Sequence, residues 1–123
     1  MEKEEISLIL QKQRQFFRTG ITHDLNYRLD VLKRLRSQII AREQDIIEAL
    51  WKDFHKPSCE VLSSETRFVL SELNLAIRKL RRWARPERVR TPLVHFIASS
   101  YVYHQPYGHI LILSPWNFPF QLS

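Results

Sequence analysis

The stretch Gly108-His-Ile-Leu-Ile-Leu-Ser-Pro-Trp-Asn-Phe-Pro119 decides how the rest of the chain is read. His109 to Leu113 run apolar without alternation and are bounded by Gly108 and Ser114-Pro115, the pattern of a short strand buried on both faces. Residues just beyond such a strand lie at its carboxyl end, where open α/β sheets bind their ligands. Pro115 and Pro119 fix their own φ and bias Ser114 and Phe118 away from helical geometry, so Trp116 and Asn117 ride on a stiffened loop. The Asn117 carboxamide can donate to a developing oxyanion without taking up a proton. Asparagine also satisfies turn backbone, and spacing alone leaves both roles open.

Working back toward the N-terminus, Tyr101 and Tyr103 alternate with Ser100, Val102 and His104, which suits a strand punctuated by Pro106-Tyr-Gly108. Everything before Pro86 has helical period. Ile6 to Phe17 form a first helix closed by Gly20. Thr22 or Asp24 caps a second, whose Leu25, Leu29, Leu32, Ile39 and Ile40 make one apolar stripe. The stripe shifts phase at Ala41 to Asp45, predicting a bend before Ile46 to Phe54. Pro57 then breaks the pattern, and Ser58 is placed to cap a helix carrying Leu62, Val69, Leu73, Ile77, Leu80 and Trp83. The expected organisation is a helical region at 1–86, a strand segment at 97–107, and the start of a sheet at 108–123.

Composition bounds the chemistry. With 123 residues and 44% apolar content, the chain can build a modest core. It has only two glycines, too few for a phosphate-cradling turn of the usual kind. Cys59 is the single cysteine, which excludes an internal disulfide framework and fits a reducing compartment; a cytoplasmic location is expected. Cys59 follows Pro57 beside acidic Glu60 and reads as an ordinary thiol. The five histidines lack metal-ligand spacing. No run is long and apolar enough for a secretion signal or a membrane span.

The segment Gly108 to Leu122 closely resembles the aldehyde dehydrogenase superfamily, in which a strand leads into Pro-Trp-Asn-Phe/Tyr-Pro. The likeness continues through Asp53-Phe-His-Lys-Pro57, Ser64-Glu65, Trp83-Ala-Arg-Pro86 and Thr91-Pro92, which are similar to the class 3-like branch, and it covers the chain from Gln11 onward. The resemblance implies an α/β parent fold of which this chain is the mainly α-helical N-terminal part, with a short strand excursion and the first strand of the cofactor-binding sheet. It implies oxidation of an aldehyde to a carboxylic acid with NAD or NADP as cofactor. Asn117 would be the oxyanion-hole side chain, and Leu113, Ser114, Pro115 and Trp116 would line the nicotinamide-ribose side. The strand near Tyr101 to Gln105 is similar to the family's oligomerisation hairpin, so a homo-oligomer, a dimer, is expected. The family's nucleophilic cysteine, glutamate base and catalytic domain are expected beyond residue 123, leaving this chain inactive alone.

Two other classes compete. The net charge of +6 is concentrated between Arg78 and Arg90 around Trp83, a mixture able to grip phosphates of nucleic acid or an anionic surface. Against this binding-module reading, Ile77, Leu80 and Trp83 keep the helical apolar step, so the arginines read as a solvated face, and neither nucleic acid nor a membrane is the expected partner. Steep loss of binding with salt would mark such a module. The third class is a non-catalytic oligomerisation partner, which mixed oligomers with intact enzyme would reveal.

Overall fold

Left-handed backbone at Gly20 (φ 76°) sets where the first helix stops, because a side chain there would be strained. In the computed structural model, which describes residues 3–123, helix α1 (Lys3–Arg18) precedes it. Glu4 and Glu5 in its first turn and Arg18 in its last complement the helix dipole. A 3-10 turn, Ile21–His23, leads to α2 (Leu25–Ala41). Of the two expected caps, Asp24 is the one used: its carboxylate accepts from the Asn26 amide at 2.8 Å.

The phase shift read at Ala41 to Asp45 is a break at Arg42, after which α3 (Glu43–Phe54) begins. Helix α3 ends on His55, a non-glycine residue in left-handed geometry (φ 59°, ψ 35°), whose amide donates to the last carbonyls. The reversal sends Lys56 inward, and Pro57 opens α4 (Ser58–Glu60). Here the expectation for Ser58 is corrected. Pro57, extended at ψ 147°, holds the N-cap position, and Ser58 is already the first helical residue.

The chain then runs through a π-helical turn, Val61–Thr66, into α5 (Arg67–Trp83). An α-helix would rotate Thr66 about 140° away from Val61. The wider turn instead gathers Val61, Glu65 and Thr66 on one face, and all three are fully buried. Its hydroxyls find acceptors near and far: Ser64 Oγ donates to the Glu60 carbonyl at 2.7 Å, and Thr66 Oγ1 donates to Glu43 Oε1 of α3 at 2.8 Å. With Val61, the buried apolar residues are Ile39 of α2, Leu50 of α3 and Leu73 of α5. The basic residues from Arg78 to Arg90 are exposed, apart from half-buried Lys79, and Arg81 donates to the Asn26 side chain at 2.6 Å.

Past Ala84 the helix gives way to an antiparallel pair, β1 (Glu87–Val89) with β2 (Ser100–Val102), in the register Glu87↔Val102, Arg88↔Tyr101 and Val89↔Ser100. The strand expected around Tyr101 is present, and its partner at 87–89 is the unforeseen element. Thr91 locks the connection, accepting from the Ser100 amide at 3.1 Å. The run 109–113 has no ladder partner among the described residues, and Leu111 and Leu113 are 83% and 85% exposed. A strand with two apolar faces needs neighbours on its edges and layers over both sides. The described residues provide neither.

Gly108 (φ 98°) packs against α1: a Cβ there would sit 3.3 Å from the Phe17 ring, whereas one at Gly20 would meet nothing within 4 Å. Both alanine variants therefore carry a left-handed penalty of about 1 kcal/mol, and Gly108→Ala adds a tight contact that the Phe17 ring must shift to relieve. In urea denaturation of the chain, Gly108→Ala should lower the midpoint more than Gly20→Ala; equal shifts would show that Phe17 does not bear on the turn.

Candidate functional site

Two buried ionic side chains from the helical half hold the turn that carries Asn117. Lys56, aimed inward by the reversal at His55, is 3% exposed, and Glu65 on the π-turn is 0% exposed. Their Nζ and Oε1 atoms lie 2.6 Å apart. Taking either ion out of water costs several kcal/mol, which is offset only if the remaining hydrogen-bonding capacity is used as well. It is used, on the segment 117–121.

Lys56 Nζ donates to the Asn117 carbonyl at 3.2 Å and stands 4.1 Å from the centre of the Phe118 ring, a desolvated cation–π contact of about 2 kcal/mol. Glu65 Oε2 accepts from the Gln121 amide at 2.7 Å. The Leu122 amide donates to the Phe118 carbonyl at 3.2 Å, closing the turn on itself. Glu60, half exposed, adds a carboxylate 3.9 Å from the same ammonium. The backbone is thus fixed at residues 117 and 121, on either side of Pro119.

The structure places the five residues singled out from sequence on the outer side of this clamp. Asn117 is exposed, and the hydrogen bond it makes among the described residues runs through its backbone oxygen. Trp116 is 91% exposed, Pro115 is exposed and Ser114 half-buried, with Leu113 beyond them on the unpaired run. They form one contiguous rim and not a closed cavity. Lys56 and Glu65 lie within the family-like segments Asp53-Phe-His-Lys-Pro57 and Ser64-Glu65, where the linear pattern assigns them no role. The signal was a lysine wedged between a helix end and a proline, and a glutamate lying between buried Val61 and Thr66.

Other candidates lie apart from this rim. Cys59 is exposed on α4. His104 lies 3.4 Å from Glu87 beside the strand pair, and His55 packs edge-on against Trp51 with centroids 5.1 Å apart. Among the described residues no group of three or more His, Cys, Asp or Glu could hold a metal ion, and no helix is long and apolar enough to cross a membrane.

A family model for the aldehyde dehydrogenase family matches residues 1–123, and the chain belongs to that family. It is similar to the 4,4'-diaponeurosporen-aldehyde dehydrogenase of Staphylococcus aureus (strain NCTC 8325 / PS 47), with 38% identity over 120 residues, 95% of this chain and 26% of the relative. It is also similar to the dimeric NADP-preferring aldehyde dehydrogenase of Canis lupus familiaris, with 35% identity over 120 residues, 97% of this chain and 26% of the relative. The solved structure of the substrate-bound state of Staphylococcus aureus AldH superposes with a TM-score of 0.90 at 37% identity, over 95% of this chain and 26% of that one. The chain spans about a quarter of the length of these proteins. That likeness fixes the parent architecture as the α/β fold of the family, of which the helices and the antiparallel pair here are a part.

Removing one member of a buried ion pair leaves the other uncompensated and costs about 3–5 kcal/mol, whereas replacing both by apolar residues is far milder. Lys56→Met should therefore lower the unfolding free energy of the chain substantially. The double variant Lys56→Met/Glu65→Leu should recover much of that loss. Chemical denaturation followed by tryptophan fluorescence checks both, and a double variant as unstable as the sum of two singles would contradict a mutually compensating pair.

Proposed function

We propose that this chain is the N-terminal part of an NAD(P)-dependent aldehyde dehydrogenase that oxidises aldehydes to carboxylic acids, and that Asn117 donates its carboxamide to the oxygen that gains charge in the transition state. The observation that carries the reading is the exposed Asn117 on a backbone pinned at residues 117 and 121 by buried groups. Preorganised donors of this kind contribute most where they need not reorient during reaction.

The cofactor supplies the hydride acceptor. Leu113, Ser114, Pro115 and Trp116 fit one wall of its site: they are contiguous, and Leu113 and Trp116 present apolar surface outward, at 85% and 91% exposure. With two glycines in the chain, the cradle for the phosphates is assigned to other residues of the parent enzyme. The nucleophilic cysteine and glutamate base are likewise assigned outside residues 1–123, so the chain alone is expected to be inactive.

The surface supports incorporation into a larger body. A compact monomer of this mass exposes about 7,000 Å²; this chain exposes 10329 Å². Leu93, Val94, Phe96 and Ile97, each at least 77% exposed, and the unpaired run 109–113 contribute to the excess. The organisation we assign is a helical region at 1–86, an oligomerisation segment at 97–107 and the start of the NAD(P)-binding sheet at 108–123, in a cytoplasmic homodimer. Among the described residues the two-stranded sheet has free outer edges on both strands, which leaves it able to extend by pairing.

The test is Asn117→Ala in the full-length enzyme carrying this segment. Turnover of an aldehyde should fall about 10²–10³-fold, the usual cost of one oxyanion donor, with little change in the KM for the cofactor. Unaltered turnover would remove Asn117 from the reaction.

A further inference from the structure

We infer that Lys56 and Glu65 are positioning residues for the Asn117 amide: the buried pair sets the direction in which the carboxamide points, and its role extends beyond holding the helices together. The proposal rests on the oxyanion reading of Asn117 given above. Four observations carry it. The ammonium bonds to the carbonyl of Asn117 itself, at 3.2 Å, so the peptide plane that follows the Asn117 side chain is fixed at its oxygen. The same ammonium faces the ring of the next residue, Phe118, at 4.1 Å. The carboxylate that neutralises Lys56 at 2.6 Å uses its other oxygen on the Gln121 amide at 2.7 Å. Both ions are buried, at 3% and 0% exposure, so each of these bonds has its charged end shielded from water.

The alternative is a pair that merely joins α3, α4 and the π-turn. For that task the two side chains need each other and any partners that use their remaining hydrogen-bonding capacity. Here each also spends a hydrogen bond on the turn, 61 residues along the chain from Lys56 and 56 from Glu65. The route from pair to turn is also rigid, because Pro57 and Pro119 fix φ on either side of it.

A displacement of about 1 Å at a catalytic donor can cost on the order of 10²-fold in rate. In the full-length enzyme, Lys56→Met should therefore lower kcat about 10- to 100-fold while the KM for cofactor stays near wild type. Lys56→Arg, which keeps the charge, should restore part of the loss. The deciding measurement is the double-mutant cycle with Asn117→Ala. If Lys56 acts through the amide, then once the amide is gone, adding Lys56→Met should cost no more than about twofold, the scatter of non-interacting sites.

Losses that multiply would overturn the positioning role and leave a structural brace. So would wild-type kcat in Lys56→Met alongside a damaged Asn117→Ala. If Asn117→Ala is itself harmless, the oxyanion reading fails first and takes this proposal with it, a result distinct from the other two. Should Lys56→Met not yield folded enzyme, Glu65→Gln carries the same cycle, since its amide oxygen still offers an acceptor to Gln121.

Discussion

An ammonium with almost no access to water is the constraint on which this structure turns. Lys56 can be buried only where a carboxylate, a carbonyl and an aromatic face converge on it, and Glu65, Asn117 and Phe118 are those groups. Either ion left in this core without its partner would be a bare charge costing several kcal/mol. Apolar packing tolerates small slips between elements, whereas a satisfied ionic network fixes one register.

Two irregularities of backbone make that convergence geometrically available. The left-handed residue at His55 ends α3 with Lys56 turned inward, and non-glycine residues occupy that region at a cost. The π-turn at Val61–Thr66 widens the helix so that Glu65 and Thr66 face the interior together with Val61. Such turns are rare and tend to occur at functional sites. Here the gain is specific: one residue reaches the Lys56 ammonium and the Gln121 amide, and its neighbour reaches Glu43.

Much of the helical half was legible because its stops are written in local chemistry. Gly20, Asp24 and Pro86 bound their elements through backbone rules that act within a few residues. The π-turn was not legible, since a reading at 3.6 residues per turn passes through it without registering an extra residue. Strand β1 was missed because Glu87–Val89 is three residues long, exposed and bears two charges, and only its partner thirteen positions away makes it a strand. The turn at Asn117 was legible through its prolines and its family likeness. Lys56 and Glu65 were present in the same likeness and remained silent. Charged residues in helical segments are ordinarily solvated, and nothing in a linear pattern announces that two of them, nine residues apart, are buried against a third segment.

The same geometry explains why the turn is formed where the strand before it is not. Residues 109–113 are apolar and exposed, lacking a sheet to join, yet residues 117–121 are already anchored on the helical side. The Asn117 turn is therefore held from behind by Lys56 and by Glu65 of the π-turn, and does not take its shape from the run that precedes it. In a sheet whose strands come from distant parts of a chain, pairing requires closure of long loops and comes late. A loop fixed by contacts to the helical part of the chain is free of that dependence. The position of the Asn117 backbone is thus set by bonds that do not involve residues 109–113.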